Sequence, residues 1–177
     1  KLSACVYVQQ SCQRFLNDLA NTELVWRFDV EKVEHVCRFI ELLPHTQGKW
    51  AAARQRITLE PFQIFIVANL FGWCDADGRR RYRYAYIEMP RKNGKSTLLA
   101  AIGLYCGFIE GEQGAQVYSA ATTRDQARIV WEEAQRMVNR LPKLQSAFDV
   151  KAGQHSIFSI NTASSFKALS RDQGGNQ

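Results

Sequence analysis

A short basic loop at residues 89–96 constrains the fold of this chain more than any other feature. Its sequence, Met-Pro-Arg-Lys-Asn-Gly-Lys-Ser, matches the end of the pattern G-x-x-x-x-G-K-[ST], with Met89 in place of the first glycine. The tyrosine-rich run at 82–89 predicts a strand before the loop, and the mostly apolar run at 95–108 predicts a buried helix after it. A strand, a loop and a helix in this order are typical of a phosphate-binding loop.

The residue types in the loop are those expected to bind a nucleoside triphosphate. Gly94 lets the backbone approach phosphate oxygens closely, and Lys95 supplies a positive charge to the β and γ phosphates. The Ser96 hydroxyl is the predicted Mg²⁺ ligand, and Arg91 is a second cation within the loop. We therefore predict an ATP and Mg²⁺ site, with Lys95 and Arg91 as its catalytic cations. The remaining predicted nucleotide contacts are Pro90, Lys92, Asn93 and Thr97. The alternative is a basic surface loop that only caps a helix.

A glutamine upstream of the loop is a candidate for reading the base. Gln63 follows Glu60 and Pro61, and its carboxamide could donate to N7 and accept from N6 of adenine. The alternative is an ordinary exposed glutamine on a helix. Its position before a phosphate loop favours the adenine interpretation.

The pattern of the whole chain predicts an α/β fold. Apolar spacing predicts helices, with Asp29 able to cap the second and Pro61 in the first turn of the third. Residues 75–78, Asp-Ala-Asp-Gly, predict a turn. Alternating strands and helices favour a parallel sheet. The predicted helices span 4–20, 29–43, 60–71 and 124–140, and further strands span 117–121, 156–160 and 165–169.

Composition excludes several classes of protein. The 177 residues carry a formal charge of +6, which is compatible with a polyanionic partner without requiring one. The five cysteines are scattered without a C-x-x-C motif, which argues against a disulfide framework or a zinc site. No run approaches the roughly 18–20 apolar residues that cross a bilayer, and no signal peptide is recognisable, so we expect a cytoplasmic protein without membrane contact.

Several ordered motifs together resemble a known family. The segments at 39–51, 57–73, 79–97 and 117–131 look like the large terminase subunits of tailed phages, in the family similar to that of phage HK97. The resemblance covers roughly residues 29–177. It implies an additional-strand P-loop ATPase fold with a parallel sheet, preceded by a helical N-terminal segment at 1–55 and occupying residues 56–177.

The resemblance also implies an activity and a set of partners. It assigns Arg91 and Lys95 to phosphates, Ser96 to Mg²⁺ and Gln63 to adenine, and it places residues 119–123 beside the nucleotide. The implied function is an ATP-driven motor that moves viral double-stranded DNA into a procapsid within the bacterial host cytoplasm. The implied partners are that DNA, the portal protein, the small terminase subunit and further copies of the chain in a ring.

One departure from the family pattern concerns hydrolysis. The family's next element is an apolar strand that ends in Asp-Glu, and no such strand precedes Gln177; the nuclease carboxylates of a C-terminal domain are also missing. We therefore expect a fragment that binds nucleotide and hydrolyses it very slowly or not at all. The alternative functions are a helicase-like ATPase that remodels nucleic acid and an inactive prophage remnant that only binds nucleotide.

Two weaker features complete the sequence predictions. The run at 79–84 interleaves arginines with tyrosines, which suits a nucleic-acid surface, but a solvated strand edge is the favoured interpretation. Arg171 is a candidate arginine finger that would act on a neighbouring subunit. Three tryptophans are predicted to be core or interface residues rather than base-stacking platforms: Trp50, Trp73 and Trp131.

Overall fold

A computed structural model describes residues 4–170 of the chain, and it has the predicted α/β composition. The helices are α1 Val6–Ala20, α2 Val30–Leu42, α3 Gly48–Ala52, α4 Pro61–Phe71, α5 Lys95–Leu104, α6 Arg124–Arg140 and α7 Pro142–Phe148. One π-helical turn, Tyr105–Ile109, continues α5. The strands are β1 Arg27–Phe28, β2 Trp73–Cys74, β3 Gln116–Ala121, β4 Val150–Ala152, β5 Ser156–Ser159 and β6 Ser164–Ser170.

The described residues form two compact units. Residues 4–37 and 60–87 make up the first, which we call the aromatic unit. Residues 38–59 and 88–170 make up the second, which we call the sheet unit. The predicted division at residues 55 and 56 stays a prediction.

Local sequence signals explain where the helices of the aromatic unit begin. Asp29 precedes α2, and its carboxylate accepts a hydrogen bond of 2.9 Å from the backbone N–H of Lys32, which confirms the predicted cap. Pro61 opens α4, where its missing N–H costs nothing. The predicted turn at 75–78 is also confirmed, because the Asp75 carboxylate accepts from the backbone N–H groups of Asp77 and Arg79 at 3.0 and 2.8 Å.

Packed aromatic rings form the core of the aromatic unit. The Phe15 ring lies 5.1 Å from Phe28, 5.6 Å from Phe65 and 5.5 Å from Trp73, measured between centroids. The short strands β1 and β2 pair antiparallel and place Phe28 opposite Trp73. Tilted and edge-to-face pairs of this kind each add about 0.5–1.5 kcal/mol beyond burial of their area.

The sheet of the sheet unit has the order β3-β6-β5-β4. Only β3 and β6 run parallel among the described strands, whereas β6, β5 and β4 are successive antiparallel neighbours. The sheet is therefore mixed: the predicted parallel pairing is found between β3 and β6, and not among β6, β5 and β4. The reason is the short connection at 160–163 between β5 and β6, since parallel neighbours require a crossover of a dozen residues or more.

Helices α5 and α6 pack against each other, and α6 also packs on β3 and β6. Trp131 of α6 is 3% exposed, and its indole N–H donates to the backbone oxygen of Phe166 on β6 at 3.1 Å. Gly103 allows α5 to approach the Phe166 ring closely, since a Cβ at that position would lie 2.8 Å from Phe166 Cε1. Helix and sheet therefore meet around Phe166.

The predicted strand at 82–89 is not present in the structure. Residues 82–89 belong to none of the described strands, and no strand within residues 4–170 pairs with them. Tyr84 and Tyr86, which alternation would place on one face of a strand, are 94% and 89% exposed. The prediction failed because a strand needs a hydrogen-bonded neighbour, and the residue pattern of one segment does not supply it.

Candidate nucleotide-binding site

The basic loop at 90–94 forms a tight exposed turn at the start of α5. Lys92 and Gly94 both have left-handed backbone conformations, with φ of 69° and 72°. Asn93 stabilises the turn, because its side-chain amide donates to the backbone oxygens of Pro90 and Arg91 at 3.2 and 3.4 Å. The left-handed conformation explains the glycine at position 94, where a side chain would strain the backbone.

The first turn of α5 offers backbone donors. Gly94 is the N-cap of this helix, and no side chain caps it. The N–H groups of Lys95, Ser96 and Thr97 belong to the helix start, where no preceding turn supplies acceptors. Such donors, together with the helix dipole, attract a negatively charged group. Arg91, Lys92 and Lys95 are all exposed and add positive charge at the same place.

Two residues with hydroxyl groups, Ser96 and Thr97, follow Lys95 in the first turn of α5. Ser96 and Thr97 are both half-buried. The Thr97 hydroxyl donates to Glu133 Oε1 of α6 at 3.3 Å, and Glu133 is only 5% exposed. Sequence reasoning missed Glu133. A signal existed, since this acid lies three residues after Val130 and four before Met137, on the apolar face of α6.

Gln63 lies in the aromatic unit, in the first turn of α4, and is 9% exposed. Its side-chain oxygen accepts a 3.0 Å hydrogen bond from the backbone N–H of Glu60, as part of a capping box. A carboxamide oxygen has two lone pairs, so this contact does not use its full accepting capacity. The assignment of Gln63 to adenine stays a prediction.

The end of β3 leads directly into α6. The Ser119 hydroxyl donates to the backbone oxygen of Ala127 at 2.7 Å, which ties the strand to the helix. Thr123 caps α6 by accepting from the backbone N–H of Gln126. The predicted placement of residues 119–123 beside a nucleotide is a separate matter and stays a prediction.

Comparison with known proteins identifies the family. The family described as "Terminase large subunit, ATPase domain" matches residues 61–176, which is most of the chain. The chain belongs to this terminase ATPase family. The helices and sheet described above are accordingly those of a P-loop fold, as the family resemblance implied.

The large terminase subunit of Enterobacteria phage HK97 is one relative of this terminase ATPase chain. It is 32% identical over 143 residues, which cover 78% of this chain and 27% of the phage protein. The crystal structure of the HK97 bacteriophage large terminase matches with a TM-score of 0.66 at 30% identity, and the match covers 82% of this chain and 29% of that one. The chain thus spans less than a third of the length of these relatives.

The arginine-rich run at 79–84 is mostly engaged within the aromatic unit. Arg79 pairs with Asp77 at 3.0 Å on the surface, and the Arg80 guanidinium lies 5.1 Å from the Phe71 ring centroid. Arg81 forms a 2.8 Å ion pair with the half-buried Asp18. The strand edge favoured from the sequence is not found, since no described strand includes residues 79–84, and three arginines of the run contact acids or rings of the same unit instead. Contact of this run with DNA stays a prediction.

The tryptophans divide into two groups. Trp73 and Trp131 are 2% and 3% exposed, which confirms that they belong to the core. Trp50 is 51% exposed and stacks on His45 with centroids 5.2 Å apart, so it is not a core residue. Arg171, the candidate arginine finger, lies outside the described residues.

Between residues 4 and 170, no three His, Cys, Asp or Glu side chains are grouped so that they could hold a metal ion. In the same part of the chain, no helix has the length and apolar character needed to cross a membrane.

Proposed function

We propose that this chain is the nucleotide-binding part of an ATP-driven motor that moves viral double-stranded DNA into a procapsid. The family assignment supports a role in phage DNA packaging. The observation that carries the nucleotide part is the uncapped first turn of α5, preceded by Gly94 in a left-handed conformation and surrounded by exposed cations.

Each residue of the loop has a distinct proposed role. The N–H groups at the start of α5 bind phosphate oxygens, Lys95 neutralises the β and γ phosphates, and Arg91 adds a second positive charge. Ser96 provides a hydroxyl ligand to Mg²⁺, and its place in the first turn of α5 fits that role. A bound Mg²⁺ would supply charge neutralisation across the β and γ phosphates.

The proposal extends to the setting in which the chain works. The expected partners are double-stranded viral DNA, the portal protein, the small terminase subunit and other copies of the chain in a ring. The expected location is the cytoplasm of the bacterial host. Slow or absent hydrolysis by residues 1–177 alone stays a prediction, to be measured as phosphate release beside a complete large terminase.

Titration of the full chain with ATP and Mg²⁺ tests the nucleotide part of the proposal. Lys95→Ala should weaken ATP binding by at least about a hundredfold, because a charge-assisted contact to phosphate is lost. Its thermal midpoint should not change, since Lys95 is exposed at a helix end. Lys143→Ala, an exposed lysine on α7, is the matched control and should bind like the unaltered chain. Retention of full ATP affinity by Lys95→Ala would refute the phosphate-loop assignment.

A further inference from the structure

A buried carboxylate connects three segments of the sheet unit beside the phosphate loop. Glu133 of α6 is 5% exposed. Its Oε1 accepts from the Thr97 hydroxyl of α5 at 3.3 Å, and its Oε2 accepts from the Gln47 side-chain amide, just before α3, at 3.2 Å. Arg136 approaches Oε2 at 3.5 Å from the same helix. Three side chains from different positions in the sheet unit therefore converge on this one carboxylate.

The contact with Thr97 restrains the part of α5 that faces the phosphates. Thr97 is the third residue of the helix, within the same turn as Lys95 and Ser96. A helical turn moves as a unit because its residues share backbone hydrogen bonds. Holding the Thr97 side chain to α6 therefore orients the N–H groups of the whole first turn.

The same contact decides what the Thr97 side chain can do. A hydroxyl has one proton to donate, and here that proton is directed to Glu133. Ionised phosphate oxygens are acceptors, so a hydroxyl already donating to a carboxylate has no hydrogen bond to offer them. Thr97 can then donate to a phosphate oxygen only through its backbone N–H.

We propose that Glu133 is the positioning residue of the phosphate loop, and that Thr97 contributes its backbone to nucleotide binding and its side chain to Glu133. This inference rests on the proposed ATP-binding function. Glu133 does not touch the nucleotide, and it acts by fixing the first turn of α5 against α6.

A double-mutant cycle on the full chain, with ATP and Mg²⁺ titrated into each variant, tests this directly. Glu133→Ala and Thr97→Val each remove the hydrogen bond. Each should weaken ATP binding about tenfold, because without this restraint the first turn of α5 spends only about a tenth of the time in its binding orientation. The double variant should bind no more weakly than either single variant, since both changes break the same contact. Additive losses would overturn the proposal, because they would mean that the Thr97 hydroxyl contacts the nucleotide itself.

Conservative and matched variants separate positioning from general stability. Glu133→Gln keeps an acceptor for Thr97 and should bind ATP within about threefold of the unaltered chain. Glu132→Ala is the matched control: this neighbouring acid pairs with Arg128 and Arg136 at 3.0 and 3.2 Å and should leave ATP affinity unchanged. If Glu133→Gln were as weak as Glu133→Ala, the hydrogen-bond role would be refuted.

Thermal unfolding of each variant completes the test. A lowered midpoint for Glu133→Ala with unchanged ATP affinity below that midpoint would reduce Glu133 to a stability role and refute the proposal. If Glu133→Ala does not fold, Glu133→Met, which keeps the length without an acceptor, replaces it in the cycle. Lys95→Ala separates failure of the positioning role from failure of the proposed ATP-binding function. If that variant loses ATP binding and the Glu133 variants do not, only the positioning role fails; if it binds normally, the proposed function fails as well.

Discussion

The two units of the chain use their cations in opposite ways. In the aromatic unit, Arg81 turns inward, with 19% of its side chain exposed, and pairs with Asp18, of which 15% is exposed. Its guanidinium also lies 5.1–5.7 Å from the ring centroids of Trp26, Tyr82 and Trp73. With a carboxylate and three aromatic rings as partners, Arg81 has a structural role in the aromatic unit.

In the sheet unit, the loop before α5 leaves its cations exposed. Arg91, Lys92 and Lys95 lie on the surface around backbone donors that no side chain caps. The difference shows that a dense run of cations in the sequence does not indicate binding by itself. Whether a cation can bind a ligand depends on whether it already contacts acids or rings of the protein. Arg81 has such contacts, and the cations of the loop before α5 have none within the described residues.

The largest expected effect tests the core of the sheet unit. Trp131→Ala should lower the free energy of unfolding by about 3–5 kcal/mol, because it leaves a cavity and removes the hydrogen bond to Phe166. Denaturant unfolding followed by circular dichroism measures the change. Trp50→Ala, at a site 51% exposed, should cost less than about 1 kcal/mol. Similar losses for the two tryptophans would contradict the assignment of Trp131 alone to the core.

The next effect tests the inward arginine of the aromatic unit. Arg81→Ala should destabilise the chain by about 3 kcal/mol, because Asp18 would remain poorly solvated without its partner. Arg79→Ala is the matched change in the same run. Its ion pair with Asp77 is 70% and 65% exposed, so the loss should be below about 0.5 kcal/mol. Equal losses, measured by denaturant unfolding, would remove the distinction between the two arginines.

A smaller effect tests the close approach of α5 to the sheet. Gly103→Ala should cost about 1–3 kcal/mol, since its Cβ would lie 2.8 Å from Phe166 and the ring would have to shift. Gly107→Ala is a milder change, because its Cβ would meet Val117 Cγ2 at 3.2 Å. Thermal midpoints should therefore rank Gly107→Ala above Gly103→Ala, and the reverse order would show that α5 has room to move away from β6.

The smallest effect on stability concerns Gln63. Gln63→Ala removes the acceptor for Glu60 N–H and should cost about 1 kcal/mol of unfolding free energy. Gln63→Glu keeps that acceptor and should be nearly neutral for stability, but it loses the amide donor proposed for adenine N7. If Gln63 reads the base, both variants bring the affinities for ATP and GTP closer together. Unchanged selectivity in Gln63→Glu would leave Gln63 with the capping role alone.

Much of the helical structure could be predicted because its signals are local. The cap at Asp29 and the proline at position 61 act within one turn of the helix they begin. The position of the basic loop was predictable for the same reason, since the left-handed turn at Gly94 and the helix that follows are encoded within a few residues.

The short elements were harder to predict. Helices α3 and α7 and strands β1, β2 and β4 are two to seven residues long, and such segments carry too few residues to show a period. The strand predicted at 82–89 failed for the opposite reason. It has a strong pattern and no hydrogen-bonded neighbour among the described strands.

What the sequence determined by itself is the set of long helices, the α/β class and the basic loop before α5, because these depend on residues close together in the chain. Only the tertiary structure decided that β4, β5 and β6 are antiparallel, that Arg81 is paired while Lys95 is exposed, and that Glu133 meets Thr97. Glu133 and Thr97 are 36 residues apart, and Arg81 and Asp18 are 63 apart. Contacts over such separations arise from how the elements pack, and no local residue pattern specifies them.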